Sequence, residues 1–250
     1  MDNRTELEQF IFRFAIDEKL AYPPVMEDLY SLYKIIRESR IVSVLEFGCG
    51  WSTLVITKAL KENYELYNEE VSQTIRHPNP FQVMSVDTSE HFIDVARKRI
   101  PSTWSQFVHF QQSACKMTTI RDQICSLYDD IPPWTADLIY IDGPDCDHVI
   151  GSVNGFHLDF GDESKKYGLP MGADCILLEP FFWPGTRILT DGRGANAYFL
   201  KSNFRRNWDY YYDEPLDQHS FYLNELPWGG ISEKLMQFKS QGHFSSSSPS

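Results

Sequence analysis

An open α/β sheet, doubly wound and mostly parallel, is the fold class this sequence predicts, with helices ahead of it and an antiparallel hairpin at its C-terminal end. Three observations predict it. Short apolar runs of strand character recur along the chain, helical patterns separate them, and a glycine or a polar residue stands at the end of nearly every run.

From Glu6 to Arg40 apolar residues fall at helical spacing in "LEQFIFRFAIDEKL" and "MEDLYSLYKIIRES", interrupted by "AYPPV", so two helices precede the first strand and residues 1–40 read as a helical cap. The first strand is the apolar part of "VLEFGCGWST", where Val44, Leu45 and Phe47 are buried and Gly48 and Gly50 let the chain turn. The helix "STLVITKALKEN" follows at once, with Ser52 or Thr53 as its cap. Further strands are expected in "FQVMSVD" to Asp87, "FVHFQQSA" to Ala114, "ADLIYIDG" to Gly143 and "TRILTDG" to Gly192. Helices are expected over "HFIDVARKRI", "MTTIRDQICSLYDD" and "ADCILLEPFF". "NWDYYYDEPLDQHSFYLNEL" reads as a hairpin, and its aromatic stretch from Trp208 to Glu214 as half core, half hairpin surface. Two segments read as insertions that hang over the ligand side, Asn63 to Pro80 and Phe160 to Gly172. The main domain then covers 41–236, and 237–250, ending in "GHFSSSSPS", reads as a disordered tail.

At 250 residues the chain can bury one full core. Its net charge of −12 argues against a broad nucleic-acid surface, which needs clustered Lys and Arg. Five scattered cysteines without a CxxC pair read as reduced thiols, which points to the cytoplasm and away from structural zinc. The N-terminus is charged and no run approaches a membrane helix of about 18 apolar residues, so no membrane partner is expected.

In an open parallel sheet, ligands bind beyond the carboxyl ends of the strands. Glu46, Gly48 and Gly50 end the first strand, Asp87 the second, Ser113 the third, Asp142 the fourth and Asp191 the fifth. A dinucleotide fingerprint would need GxGxxG, but Thr53 stands at its third glycine, and the carboxylate of Glu46 would repel a pyrophosphate in the turn. Both count against a nicotinamide-dependent oxidoreductase.

The acid, spacer and GxG of "EFGCG" resemble the first motif of the class I S-adenosylmethionine (SAM)-dependent methyltransferases, whose fold is Rossmann-like; the match in order and spacing runs from about Ile41 to Phe199. The resemblance implies that Glu46 helps hold the amino acid end of SAM, that Gly48 and Gly50 admit its approach, with Ser52 beside them, and that Asp87 accepts both ribose hydroxyls. Ser113 and Ala114 stand where many members carry an Asp beside the adenine. "DLIYIDGPD" is similar to the small-molecule O-methyltransferases, in which the Asp after this strand, here Asp142, lies beside the transferred methyl. In several of those families it joins acids at the end of the fifth strand around a divalent cation, so Asp142, Asp145 and Asp191 form a candidate Mg²⁺ set. The chain departs from that pattern, carrying Gly192 where metal-dependent members have a second metal-binding residue, and a metal-free site is the leading expectation. "EPFF" and "NPF" resemble the motif of methyltransferases acting on base amines but do not follow the fourth strand, so nucleic acid is not favoured.

Asp142 and then His148 are the candidate bases for a hydroxyl acceptor. Arg193 is placed to fork onto a carboxylate or phosphate of the acceptor, the plainer alternative being an ion pair with Asp191 or Glu179. The leading reading is O-methylation of a small polar, sugar-like or glycan acceptor, with Asp142, Asp191, Arg193 and His148 as its catalytic set. The alternative is a SAM-binding protein without transfer chemistry that regulates a partner. The oligomeric state is open, a homodimer included.

Overall fold

The computed structural model describes residues 3–14, 23–158 and 171–242. Two helices come first, α1 (Asn3–Arg13) and α2 (Met26–Glu38), as the periodicity predicts. A seven-stranded sheet follows, in the order β3-β2-β1-β6-β8-β10-β9. Its strands are β1 (Ser43–Phe47), β2 (Gln82–Asp87), β3 (Val108–Gln112), β6 (Leu138–Ile141), β8 (Arg187–Asp191), β9 (Trp208–Asp213) and β10 (Gln218–Leu223). The first five named here pair in parallel, and β10 runs antiparallel between β8 and β9, which is the hairpin expected. The order reverses between β1 and β6, so their carboxyl ends open the crevice where a doubly wound sheet takes its ligand.

β1 is buried along its whole length, because helices cover both faces. Leu45 and Phe47 face a core with Met84, Val86, Ile139 and Ile188, while Val44 faces Leu32, Ile36, Leu54 and Leu60 of α2 and α3 (Trp51–Thr74). Helices α4 (Glu90–Arg99), α5 (Asp174–Leu178), α6 (Gly194–Asn203) and α7 (Gly230–Ser240) complete the layers.

Three expectations need correction. The stretch "MTTIRDQICSLYDD" is not helical. It builds β4 (Cys115–Ile120) and β5 (Gln123–Tyr128), an antiparallel pair that forms a second sheet with β7 (Val149–Ile150). Ile120 pairs with Gln123, leaving Arg121 and Asp122 as a two-residue turn at φ 52° and 63°. Such a turn suits strand twist, and the Thr, Ile and Cys of this stretch suit a half-buried sheet.

The segment from Asn63 to Pro80 is not an insertion over the ligand side. α3 runs on to Thr74, and Val71 and Ile75 pack with Val42, Phe81, Phe107, Leu235 and Phe238 around the amino-terminal ends of the strands. The helix is long because its later turns have apolar partners there. Thirdly, α7 continues to Ser240 and buries Phe238, so the fold extends past residue 236. Residues 243–250, and most of the Phe160 to Gly172 excursion, lie outside the described residues.

Candidate functional site

The β1–α3 turn is shaped by a contact between glycines. Gly48 sits at φ +89°, and a Cβ built on it would lie 2.7 Å from the Gly143 nitrogen, in the turn after β6. Only glycine meets both demands, positive φ and backbone on backbone. Gly50 differs: its backbone is extended and a Cβ there would meet nothing within 4 Å. It borders open space.

Glu46 organises this turn from behind. It is fully buried, accepting hydrogen bonds from Ser52 Oγ at 2.6 Å and Thr53 Oγ1 at 2.7 Å, while Thr53 Oγ1 accepts from the Gly50 amide at 3.0 Å. Burial pushes its carboxyl up to about 7, against the pull of the Ser52 hydroxyl and its other hydrogen bonds. Glu46 does not wall the cleft, so its geometry is that of a brace for the glycine turn rather than a direct ligand contact.

Asp87 ties two turns together. One carboxylate oxygen accepts from the Cys49 amide at 2.8 Å and the other from the Ser89 amide at 2.7 Å. Ser89 caps α4 by accepting from the Phe92 amide at 3.3 Å. Each Asp87 oxygen therefore keeps lone-pair capacity on the cleft side.

A cleft of about 590 Å³ opens above these residues. Gly48, Gly50, Ser52 and Asp87 wall it, together with Asp142, Asp145, His148 and Asp191. Of the residues singled out in the sequence, these eight are brought to one place. Asp142 is exposed to the cleft, yet protein crowds it closely enough that burial pushes its carboxyl up to about 7, with Arg193 opposing the shift. Burial likewise raises Asp191 to about 6, with Asp28 adding to the shift. The Tyr140 hydroxyl donates to Asp191 at 3.1 Å.

Ser113 and Ala114 are placed elsewhere. The Ser113 hydroxyl accepts from the Asp130 amide at 2.9 Å, and the Ala114 carbonyl accepts from the Asp129 amide at 2.8 Å, so both fasten a neighbouring turn and neither walls the cleft. Arg193 is only 3% exposed, and one guanidinium nitrogen donates to the backbone carbonyls of Asp142 at 2.9 Å and Pro144 at 3.0 Å. It is a brace for the loop after β6 and does not reach out to a ligand. Among the described residues the carboxylate it meets is Asp145 at 3.9 Å, neither of the two partners weighed from sequence. Glu179 is committed elsewhere, accepting from the Arg205 and Arg206 amides and from Trp208 Nε1.

The candidate Mg²⁺ set, Asp142, Asp145 and Asp191, is not gathered within 4.8 Å. Among the described residues, the group whose ligand atoms lie within 4.8 Å of one another is Asp145, Asp147 and His148, which shares only Asp145 with that set. His148 lies beside Phe92, ring centroids 5.8 Å apart.

Sequence reasoning missed Tyr140, Asp28 and the pair of Trp51 and Arg99, all of which wall the cleft. The Arg99 guanidinium lies 3.9 Å from the Trp51 ring centroid. Trp51 follows the glycine turn directly and could have been found there. Asp28 carries no signal in the sequence, since an acid in the first turn of a helix is ordinary.

No protein-family model and no curated protein sequence matches this chain. Among solved structures it is similar to an O-methyltransferase from Bacillus cereus in complex with S-adenosylhomocysteine (SAH), at 14% identity over 90% of this chain and 92% of that one, TM-score 0.48. It is similar to the SAH-bound methyltransferase PaMTH1 of Podospora anserina, at 11% identity over 90% and 89% of the two chains, TM-score 0.48. The O-methyltransferase TomG of Streptomyces achromogenes, in complex with SAM, aligns at 11% identity over 90% and 91%, TM-score 0.42. By its own topology, five parallel strands continued by an antiparallel strand inserted beside β8, the chain has a Rossmann-like, mostly parallel α/β sheet.

Proposed function

We propose that the protein is a SAM-dependent methyltransferase that transfers the methyl to a hydroxyl of a small polar, sugar-like or glycan acceptor in the cytoplasm. The observation that carries this reading is the convergence of the Gly48–Gly50 turn, Asp87 and Asp142 on one cleft at the reversal of strand order. The residues suit such a cofactor. Open space beside Gly50 admits a close ligand, Asp87 has lone pairs left for two hydroxyls, and Asp142 offers a carboxylate to a cation. When bound, SAM supplies a methyl group on a positively charged sulfur.

The chain's own part is then holding and deprotonating. Gly48, Gly50, Ser52 and Asp87 would hold the cofactor, and the strand ends fix Asp142 at the edge where an acceptor arrives. Asp142, raised to about 7, is matched to taking a hydroxyl proton near neutral pH. Arg193 keeps that carboxyl from rising further and steadies its backbone. Cys49, Cys115, Cys125 and Cys175 are free thiols, in keeping with a reducing compartment.

The test is transfer of labelled methyl from SAM to a panel of hydroxylated metabolites and sugars. Label on an acceptor oxygen, lost in Asp142→Asn, is the expected result. Absence of transfer to every member would remove the enzyme reading.

A further inference from the structure

We propose that this cleft selects a cationic acceptor, an amine-bearing hydroxylated small molecule whose ammonium group is held between Asp28 of α2 and Asp191 at the end of β8. The inference rests on the methyltransferase reading above and names its substrate class, which is opposite in charge to the acidic or phosphorylated acceptor suggested by Arg193 in the sequence.

Three separate elements bring carboxyls to one cleft: α2 brings Asp28, the end of β6 Asp142 and the end of β8 Asp191. Among the described residues, the carboxyls of Asp28 and Asp142 have no hydrogen-bond or ion-pair partner, and Asp191 has only the neutral Tyr140 hydroxyl. Arg193 is turned away, committed to two carbonyls, and Arg99 lies on Trp51. Burial, followed by repulsion from Glu27 and Asp217, raises Asp28; burial, followed by repulsion from Asp28, raises Asp191, and Arg193 offsets that rise in part. A ligand cation relieves that repulsion, so the arrangement favours one. In the reading above Asp142 faces the sulfonium and the acceptor's hydroxyl, which leaves Asp28 and Asp191 for the acceptor's ammonium group.

The spacing favours an organic cation over a metal ion. Asp28, Asp142 and Asp191 are not gathered within the 4.8 Å that brings Asp145, Asp147 and His148 together, so they fit points on a molecule better than one coordination shell. Beside Asp28 the wall is apolar, formed by Pro23, Pro24, Val25 and Leu29, and offers contact for a carbon skeleton. The position of Asp28 is rigid, since Leu29, Leu32, Ile35 and Ile36 of the same helix are buried.

The experiment is calorimetric titration of the full chain, first with SAH and then, at saturating SAH, with charge-matched probe pairs: tyramine against 4-hydroxyphenylacetate, and glucosamine against glucuronate. At least one amine binds and neither carboxylate does; Asp28→Asn weakens the amine by about tenfold or more, Asp28→Glu retains it, and SAH affinity is preserved in both. Asp191→Asn serves as the second variant should Asp28→Asn not fold. Binding of a carboxylate, failure of both amines, unchanged amine affinity in the Asn variants, or amine binding only when Mg²⁺ is added overturns the proposal. Failure of SAH to bind removes the methyltransferase reading itself, whereas SAH binding without amine binding removes this inference alone.

Discussion

Gly48 and Gly50 stand two residues apart and answer to different constraints. At Gly48 the constraint is the fold: Ala would need an unfavourable positive φ and would push Cβ against the Gly143 backbone. Gly48→Ala should therefore lower stability by about 2 to 4 kcal/mol in chemical denaturation. At Gly50 an added Cβ would meet nothing within 4 Å, so Gly50→Ala should leave the denaturation midpoint nearly unchanged and, on the proposed function, weaken SAH binding. Equal stability losses in the two variants would contradict the distinction. Both glycines were legible as a turn in "EFGCGWST"; the partner at Gly143, nearly a hundred residues on, was not, because contact between strand ends depends on sheet order. Glu46 was legible as an unusual acid beside that turn, but its role was not, since burial behind the turn cannot be read from spacing. Its carboxyl is raised from an ordinary 4.5 to about 7, so the folded state holds a proton that the unfolded state releases. The stability tied to that proton is fully present below the unfolded value and is lost as pH rises through the folded one, amounting to about 3 kcal/mol. Glu46→Gln should flatten the fall of melting temperature between about pH 5 and about pH 8. An unchanged slope would show that Glu46 is not the titrating group.

Among the elements, the strands of the main sheet and the helices α1, α2 and α4 follow the hydrophobic pattern closely, because each has one period and one buried face or is buried throughout. The β4–β5 hairpin does not. Its apolar residues fit a helical reading as well as a strand one, and the deciding feature is the Arg121–Asp122 turn, which carries no glycine or asparagine to announce it. That turn holds two side chains in the left-handed region. Asp122→Gly should stabilise the protein by about 1 kcal/mol in denaturant titration, because glycine enters that region without a Cβ penalty. Destabilisation instead would mean that the Asp122 side chain holds the turn. α6 shows the other kind of gap. Its preceding residue, Arg193, was legible as a functional arginine near the β8 end, yet its guanidinium turns inward to the carbonyls after β6. Direction at a helix start is set by what the neighbouring loop leaves unsatisfied, and that is a tertiary fact.

For the molecule as a whole, the sheet divides labour between its two ends. At the amino-terminal ends of the strands, α7 and the later turns of α3 close a core around Val42 and Phe81, and Lys239 meets Asp137 at 3.6 Å, while Asp137 also accepts from the Ser43 amide at 2.7 Å. At the carboxyl ends, the turns after β1, β2, β6 and β8 leave a cleft walled by acids. The strand-end residues of the cleft were more legible than Asp28, because strand ends can be located from pattern, whereas Asp28 reaches the cleft through the packing of α2. No helix among the described residues is long and apolar enough to cross a membrane. We propose that this cleft holds SAM through the glycine turn and Asp87. It is tested most directly by calorimetric titration of SAH into the parent protein and into Asp87→Ala, with melting temperatures taken alongside. Binding at one site per chain is expected for the parent, with a loss of about 2 to 4 kcal/mol, or roughly 30- to 1,000-fold, in the variant. Absence of binding in the parent, or equal affinity in a folded Asp87→Ala, would contradict it.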